Sequence, residues 1–126
     1  MERLIITGGA GFIGSNLIYY LLSNYDHVIL NIDKLCIPSS INTIKRFNNF
    51  KKLDLCDHQS LSNIINDFCP DTIIHLAAES HVDRSIDNPD DFIKSNIIGT
   101  YNLLNSSLIY LNSLPSEKKD VFRFLH

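Results

Sequence analysis

Glycines at positions 8, 11 and 14 constrain this chain more than any other feature, because of what stands on either side of them. Before them lies a short apolar run, Leu4-Ile5-Ile6, with the character of a buried parallel strand. After them apolar residues recur every three to four positions, at Phe12, Ile13, Leu17, Ile18 and Leu21, the spacing of a helical face. Strand, glycines and helix in that order make a tight corner. Gly8, Gly11 and Gly14 let the backbone turn sharply, keep the helix close to the strand, and let the main chain lie against a pyrophosphate. A helix starting at such a turn directs unpaired N–H groups and a positive dipole end at the phosphates. The expected ligand is a dinucleotide.

The next segments supply the context that a glycine string needs. A second apolar run, His27-Val28-Ile29-Leu30-Asn31-Ile32, ends in Asp33, close to the ~20-residue spacing of the acid that binds an adenosine ribose. Asp33 can accept hydrogen bonds from the 2′- and 3′-hydroxyls, and its charge repels a 2′-phosphate. NAD is therefore favoured over NADP, with neighbouring Lys34 weakening the discrimination.

Strands and helices alternate along the remaining chain. Residues 36–49, with Pro38, serines and asparagines, predict a connection with at most a short helix. Phe50 to Leu53 predicts a short third strand, and Ser60 to Phe68 a helix with Leu61, Ile64, Ile65 and Phe68 on one face, stopped by Pro70. Asp71 to Leu76 predicts a fourth, central strand. A long helix follows, with Asn88 able to cap it, Pro89 at its first position, and Asp90 and Asp91 at the positive dipole end. Ile93, Ile97, Tyr101, Leu104, Leu108 and Leu111 form one stripe, expected to be mostly core. Asn112 to Asp120 reads as a polar linker and Val121 to His126 as a fifth strand. Repeated βα units require a parallel sheet, so the fold class is α/β: a Rossmann-type doubly wound sheet, order 3-2-1-4-5, with the ligand at the switch point between strands 1 and 4.

Composition narrows the partners. The 126 residues make one domain, with 44% hydrophobic and 20% charged residues. A net charge of −3 without a basic patch argues against nucleic acid and anionic membranes. Cys36, Cys56 and Cys69 are odd in number and lack metal or redox spacing, so reduced thiols in a cytoplasmic protein are expected, and no metal. Cys56 is read as packing, with nothing cationic beside it. Met1-Glu2-Arg3 leads straight into the first strand, leaving no room for a signal peptide, and no apolar run is long enough to span a bilayer.

A second constellation, Leu76-Ala77-Ala78-Glu79-Ser80-His81-Val82-Asp83-Arg84-Ser85, sits past the end of the fourth strand, where ligand-facing loops of an open parallel sheet lie. Ala77 and Ala78 leave room for a nicotinamide ribose, and Ser80, His81, Asp83 and Arg84 are placed to face a substrate. Arg84 pairs with Asp83, Asp87 or Glu79, or else contacts a phosphate. His75, inside the apolar strand, is expected to be a core imidazole bonded to backbone.

Thr7 to Gly14, Asn31-Ile32-Asp33-Lys34-Leu35, Leu53 to Asp57, His75 to Ser85 and Asn96-Ile97-Ile98-Gly99-Thr100 together resemble the extended short-chain dehydrogenases. The stretch Ala77 to Ser85 is most similar to the dTDP-glucose 4,6-dehydratases among them. That resemblance implies NAD, a dTDP-glucose substrate, oxidation at C4, loss of water across C5 and C6, and hydride return to C6. It further implies a homodimer in the full-length enzyme, formed through helices in this region, with outward residues such as Leu103 as candidate interface. Its cofactor contacts map here onto Phe12 and Ile13 after the turn, Asp33, Lys34, Leu35 and Cys36 at the adenosine ribose, and Asp54 and Leu55 beside the adenine. Leu76, Ala77, Ala78, Glu79 and Ser80 map to the nicotinamide half, Ser95 to a further polar contact, and Ser80 also to the substrate. Ile37-Pro38-Ser39-Ser40 departs from the family's usual segment after the second strand.

The family's catalytic tyrosine and lysine, four residues apart, and its Ser/Thr-Asp-Glu have no counterpart here, so no catalytic residue is assigned in this chain. Residues 1–126 are thus expected to be the NAD-binding part of such an enzyme, cut after the fifth strand and inactive alone. The alternatives are a stand-alone NAD-binding or interaction module, and a fragment of a nucleotide-sugar 4-epimerase.

Overall fold

Leu4, Ile5 and Ile6 lie at the centre of the sheet. In the computed structural model, which describes residues 1–36, 49–81 and 86–126, β1 (Arg3–Thr7) pairs in parallel with β2 (Val28–Asp33) on one side and β4 (Thr72–His75) on the other. β3 (Phe50–Lys52) extends the sheet beyond β2, and β5 (Arg123–Leu125) extends it beyond β4. The order is 3-2-1-4-5, as the alternation of elements predicts. Almost all of the connection at 36–49, including the departing segment at 37–40, lies outside the described residues, as do residues 82–85 with Arg84.

Alternation along each strand divides the apolar residues between two layers. Ile5, Leu30, Ile32 and Ile73 face α2 (His58–Phe68) and α4 (Thr100–Ser113), packing with Leu61, Ile65, Leu103 and Tyr110. Leu4, Ile6 and Ile29 face the other way, under Leu17, Ile18 and Leu21 of α1 (Phe12–Asn24). The apolar face of α1 begins at Leu17. Phe12 and Ile13, expected on that face, are 86% and 68% exposed because the first turn overhangs the end of the sheet. Asp57 caps α2 by accepting from the Ser60 amide at 3.1 Å. The helix closes on Cys69 in the left-handed region (φ 50°), one residue ahead of Pro70.

The long helix differs most from its sequence pattern. It starts as α3 (Pro89–Phe92), with Pro89 in its first turn and both aspartates beside it. Asn88 occupies the cap position, but its amide donates to the Asp91 carboxylate at 2.7 Å and caps no backbone group. The helix then widens into a π-helical segment, Ile93–Gly99, before α4. Ile93, Ile97, Tyr101, Leu104 and Leu108, expected as core, are exposed. Leu103, expected outside, is 0% exposed, whereas Leu104 is 47% exposed. The face that packs on α2 is built from Asn102, Leu103, Ser106, Ser107 and Tyr110. Small serines let the two helices approach closely enough for Ser62 and Ser106 to hydrogen bond at 2.9 Å. Periodicity reports that a helix has an apolar stripe; it does not report which face meets the protein.

The expected linker at 112–120 contains a helix, α5 (Ser116–Val121), started by Pro115 and favoured by Glu117 at its positive end and Lys118 and Lys119 at its negative end. Val121 therefore ends a helix, and Phe122 caps it while stacking edge-on against Tyr110, so the fifth strand is shorter than its apolar run.

Candidate functional site

The carboxyl ends of β1 to β4 surround a cleft of about 570 Å³, inside the ~300–1,000 Å³ range of small-molecule sites. The turn after β1 forms one end of it. Gly8 has φ +75°, and a Cβ there would stand 2.5 Å from the Ala77 nitrogen, so the β1 and β4 loops touch through bare backbone. A Cβ on Gly14 would stand 2.3 Å from the Gly8 carbonyl oxygen. Gly11 is different: a Cβ there would meet only the Gly8 oxygen, at 3.3 Å. Two glycines are thus required by the protein's own packing, while Gly11 keeps open space on the cleft side. Gly11 also precedes α1, whose start carries no side-chain cap. The first N–H groups of an α-helix have no intrahelical partner, which leaves an anion-seeking end at the cleft.

Asp33 stands across from this turn at the end of β2. One carboxylate oxygen accepts from the Ala10 amide at 3.0 Å and the other from the Leu35 amide at 2.8 Å. These bonds fix the carboxylate at the cleft edge, and each oxygen keeps a further lone pair for a ligand hydroxyl. The adjacent wall is Leu53, Asp54 and Leu55, held by Asn102 of α4, whose amide donates to the Leu55 carbonyl at 3.0 Å and the Cys56 carbonyl at 3.3 Å. Burial, with a hydrogen bond to Asp54, raises the Cys56 thiol pKa, against the pull of Lys34 and Lys94. Cations therefore do lie near Cys56, contrary to the sequence reading, yet the thiol form is still favoured.

The loop after β4 closes the opposite wall. Asn96, in the π-helical segment, clamps Glu79 by accepting from its amide at 2.8 Å and donating to its carbonyl at 2.9 Å. The Glu79 carboxylate pairs with Lys34 at 3.0 Å and accepts from the Cys36 thiol at 3.2 Å. Lys34 also donates to the Ser95 hydroxyl. Burial works to lower the Lys34 pKa, but the Glu79 hydrogen bond and the charges of Cys36 and Glu79 outweigh it and hold the ammonium above its ordinary value. Burial and the Glu79 hydrogen bond raise the Cys36 thiol, against the opposing pull of Lys34.

Beneath the cleft, His75 is bonded to side chains and not to backbone. Its Nδ1 lies 2.6 Å from the Thr7 hydroxyl and its Nε2 lies 3.0 Å from the Thr100 hydroxyl. Thr7 already accepts from the Ala77 amide at 3.3 Å, and its buried hydroxyl proton needs an acceptor, which Nδ1 supplies. That assigns the tautomer with the proton on Nε2, donating to Thr100. Burial first, and then stacked His126, lower the His75 pKa to about 4.

Gly8, Gly11 and Phe12, then Asp33, Lys34 and Cys36, then Asp54 and Leu55, and finally Leu76 to Ser80 with Ser95 all line the cleft. His81 lines it too. Ile13, Gly14 and Leu35 do not: Ile13 points to solvent, Gly14 packs under the turn, and Leu35 adopts a left-handed backbone (φ 59°) at the rim. Ala10, Ser15, Ile32 and Leu53 join the lining unforeseen. Asn96 and Asn102 position two walls without lining the cleft; asparagine inside a helix, where it is a poor former, is the sequence cue to such a task. Among the described residues, no group of three His, Cys, Asp or Glu could hold a metal ion, and no helix is long and apolar enough to cross a membrane.

A family model for GDP-mannose 4,6 dehydratase matches residues 5–126. The chain is 43% identical to a dTDP-glucose 4,6-dehydratase of Haemophilus influenzae, over 100% of this chain and 39% of that protein. It is 42% identical to one from Escherichia coli, over 98% of this chain and 36% of the relative. The chain thus spans well under half the length of these curated relatives. Among solved structures, a Streptomyces venezuelae dTDP-glucose 4,6-dehydratase with NAD and TYD bound superposes with a TM-score of 0.77 and 30% identity, covering 98% of this chain and 38% of that one. A Thermus thermophilus UDP-glucose 4-epimerase complexed with NAD gives the same TM-score and identity, over 86% of this chain and 34% of that one.

Proposed function

Because this chain belongs to the GDP-mannose 4,6-dehydratase family, of the extended short-chain dehydrogenase type, we propose that it is the NAD-binding part of a nucleotide-sugar 4,6-dehydratase acting on dTDP-glucose. The observation that carries the reading is the uncapped start of α1 beside Gly11, with Asp33 fixed across the cleft. A diphosphate fits that start, where Gly11 leaves room and the first helical N–H groups have no intrahelical partner. Asp33 holds the adenosine ribose hydroxyls, Asp54 and Leu55 flank the adenine, and Ala77 and Ala78 give the nicotinamide ribose close access to backbone. Ser80 and His81, beyond them, face the sugar. When bound, NAD supplies the hydride acceptor and donor for oxidation at C4 and reduction at C6. The chain holds that cofactor in place, and the proton-transferring residues belong to the remainder of a longer protein such as its relatives. Three free cysteines suit a reducing, cytoplasmic setting. The exposed stripe from Ile93 to Leu108 supports a homodimer built on the long helix.

Calorimetric titration with NAD tests the binding role. Gly11→Val is expected to weaken NAD at least about tenfold while keeping the native circular dichroism spectrum, because apart from one contact with the Gly8 oxygen the new side chain enters the cleft where the diphosphate would lie. Equal affinity in that variant removes the diphosphate from this corner. Residues 1–126 alone are expected to yield no 4-keto-6-deoxy product from dTDP-glucose; turnover by them would contradict the assignment of catalysis elsewhere. The epimerase reading has the equal superposition on the Thermus enzyme in its favour. Product analysis of the full-length protein separates the two, since an epimerase inverts C4 and retains the 6-hydroxyl.

A further inference from the structure

A lysine directly after the ribose acid is ordinarily a liability for a site that prefers NAD, since an ammonium at that place is a ready partner for a 2′-phosphate. In this chain Lys34 is already engaged. Its Nζ lies 3.0 Å from the Glu79 carboxylate and donates to the Ser95 hydroxyl. The Glu79 side chain is only 12% exposed and that of Lys34 29%, so solvent screens the pair less than it would a surface pair. Glu79 is itself held, because Asn96 grips its backbone on both sides and the Cys36 thiol donates to the same carboxylate oxygen that faces Lys34. Ser95 and Asn96 are consecutive residues of the π-helical segment, whose wide turn aims one at Lys34 and the other at Glu79. The lysine is tied to the far wall of the cleft.

We propose that Glu79 and Ser95 withhold Lys34 from phosphate and thereby act, with Asp33, as determinants of selectivity for a dinucleotide lacking a 2′-phosphate. A 2′-phosphate at Asp33 would face two carboxylates and a lysine whose charge is already matched. This rests on the reading that the cleft binds a dinucleotide with its adenosine ribose at Asp33. The rival explanation is a strap that only ties β2 to the β4 loop; losing a strap would weaken both dinucleotides alike.

Dissociation constants of NAD and NADP are to be measured for the protein, for Glu79→Gln, for Ser95→Ala and for the double variant Glu79→Gln/Lys34→Met. In Glu79→Gln, which keeps the shape and removes the charge, the NADP-to-NAD ratio of dissociation constants is expected to fall about tenfold as Lys34 becomes free to pair with phosphate. Ser95→Ala should lower the ratio less, and the double variant should restore it. A ratio unchanged in Glu79→Gln, or still low in the double variant, overturns the proposal and leaves the dinucleotide reading intact. If the unmodified protein binds neither dinucleotide, the underlying reading fails, and the proposal with it.

Discussion

At Gly8 and Gly14 a methyl group would collide with backbone, and backbone cannot rotate aside as a side chain can. Gly8→Ala and Gly14→Ala are therefore expected to cost about 3 kcal/mol or more in urea unfolding, while Gly11→Ala, whose Cβ presses on one backbone oxygen from 3.3 Å, should cost about 1 kcal/mol. The three glycines read alike in sequence, and only the neighbouring main chain tells them apart. His75 makes the same point. Its burial was legible from an unbroken apolar strand, but its partners, Thr7 and Thr100, come from elements far apart in the chain. The imidazole has its folded-state pKa lowered to about 4 from the ordinary 6.5. The unfolded chain thus binds more protons between those values, and stability present above pH 6.5 is lost as pH falls toward 4. Denaturant midpoints measured across that window should fall with pH, and a His75→Gln variant should show a shallower slope.

Elements whose pattern depends on their own backbone were readable, and those whose fate depends on neighbours were not. The five strands and their order follow from apolar runs and from the rule that βα units wind a parallel sheet. The long helix is visible too, but its apolar stripe faces outward, and the buried face of Asn102, Ser106 and Ser107 does not look like a core from composition. Val121 and Phe122 read as strand because β-branched and aromatic residues favour one, yet Pro115 and Glu117 had already started a helix that reaches Val121. Asn102 ties α4 to the loop that begins α2. Asn102→Ala leaves the Leu55 and Cys56 carbonyls without that donor and is expected to cost about 1–3 kcal/mol. Faster amide hydrogen exchange over residues 53–57 in the variant would localise the loss to this cleft wall.

Across the whole molecule, most of the proposed site comes from loops brought to one edge of the sheet by topology, which is why the motifs at 7–14 and 76–81, far apart in sequence, fall together. What topology could not supply was the direction in which the long helix turns its apolar stripe. Ile97, Tyr101, Leu104 and Leu108 face away from the domain, and the proposed homodimer rests on that exposed stripe. Leu104→Glu should shift sedimentation toward the monomer without altering the unfolding midpoint of the fold. Leu103→Ala, one position away, should instead cost about 2–5 kcal/mol of stability. The outward stripe also dictates how the chain behaves at the bench. Ammonium sulfate, which is excluded from protein surfaces, should drive copies together, and chilling should loosen them, because apolar attraction weakens in the cold.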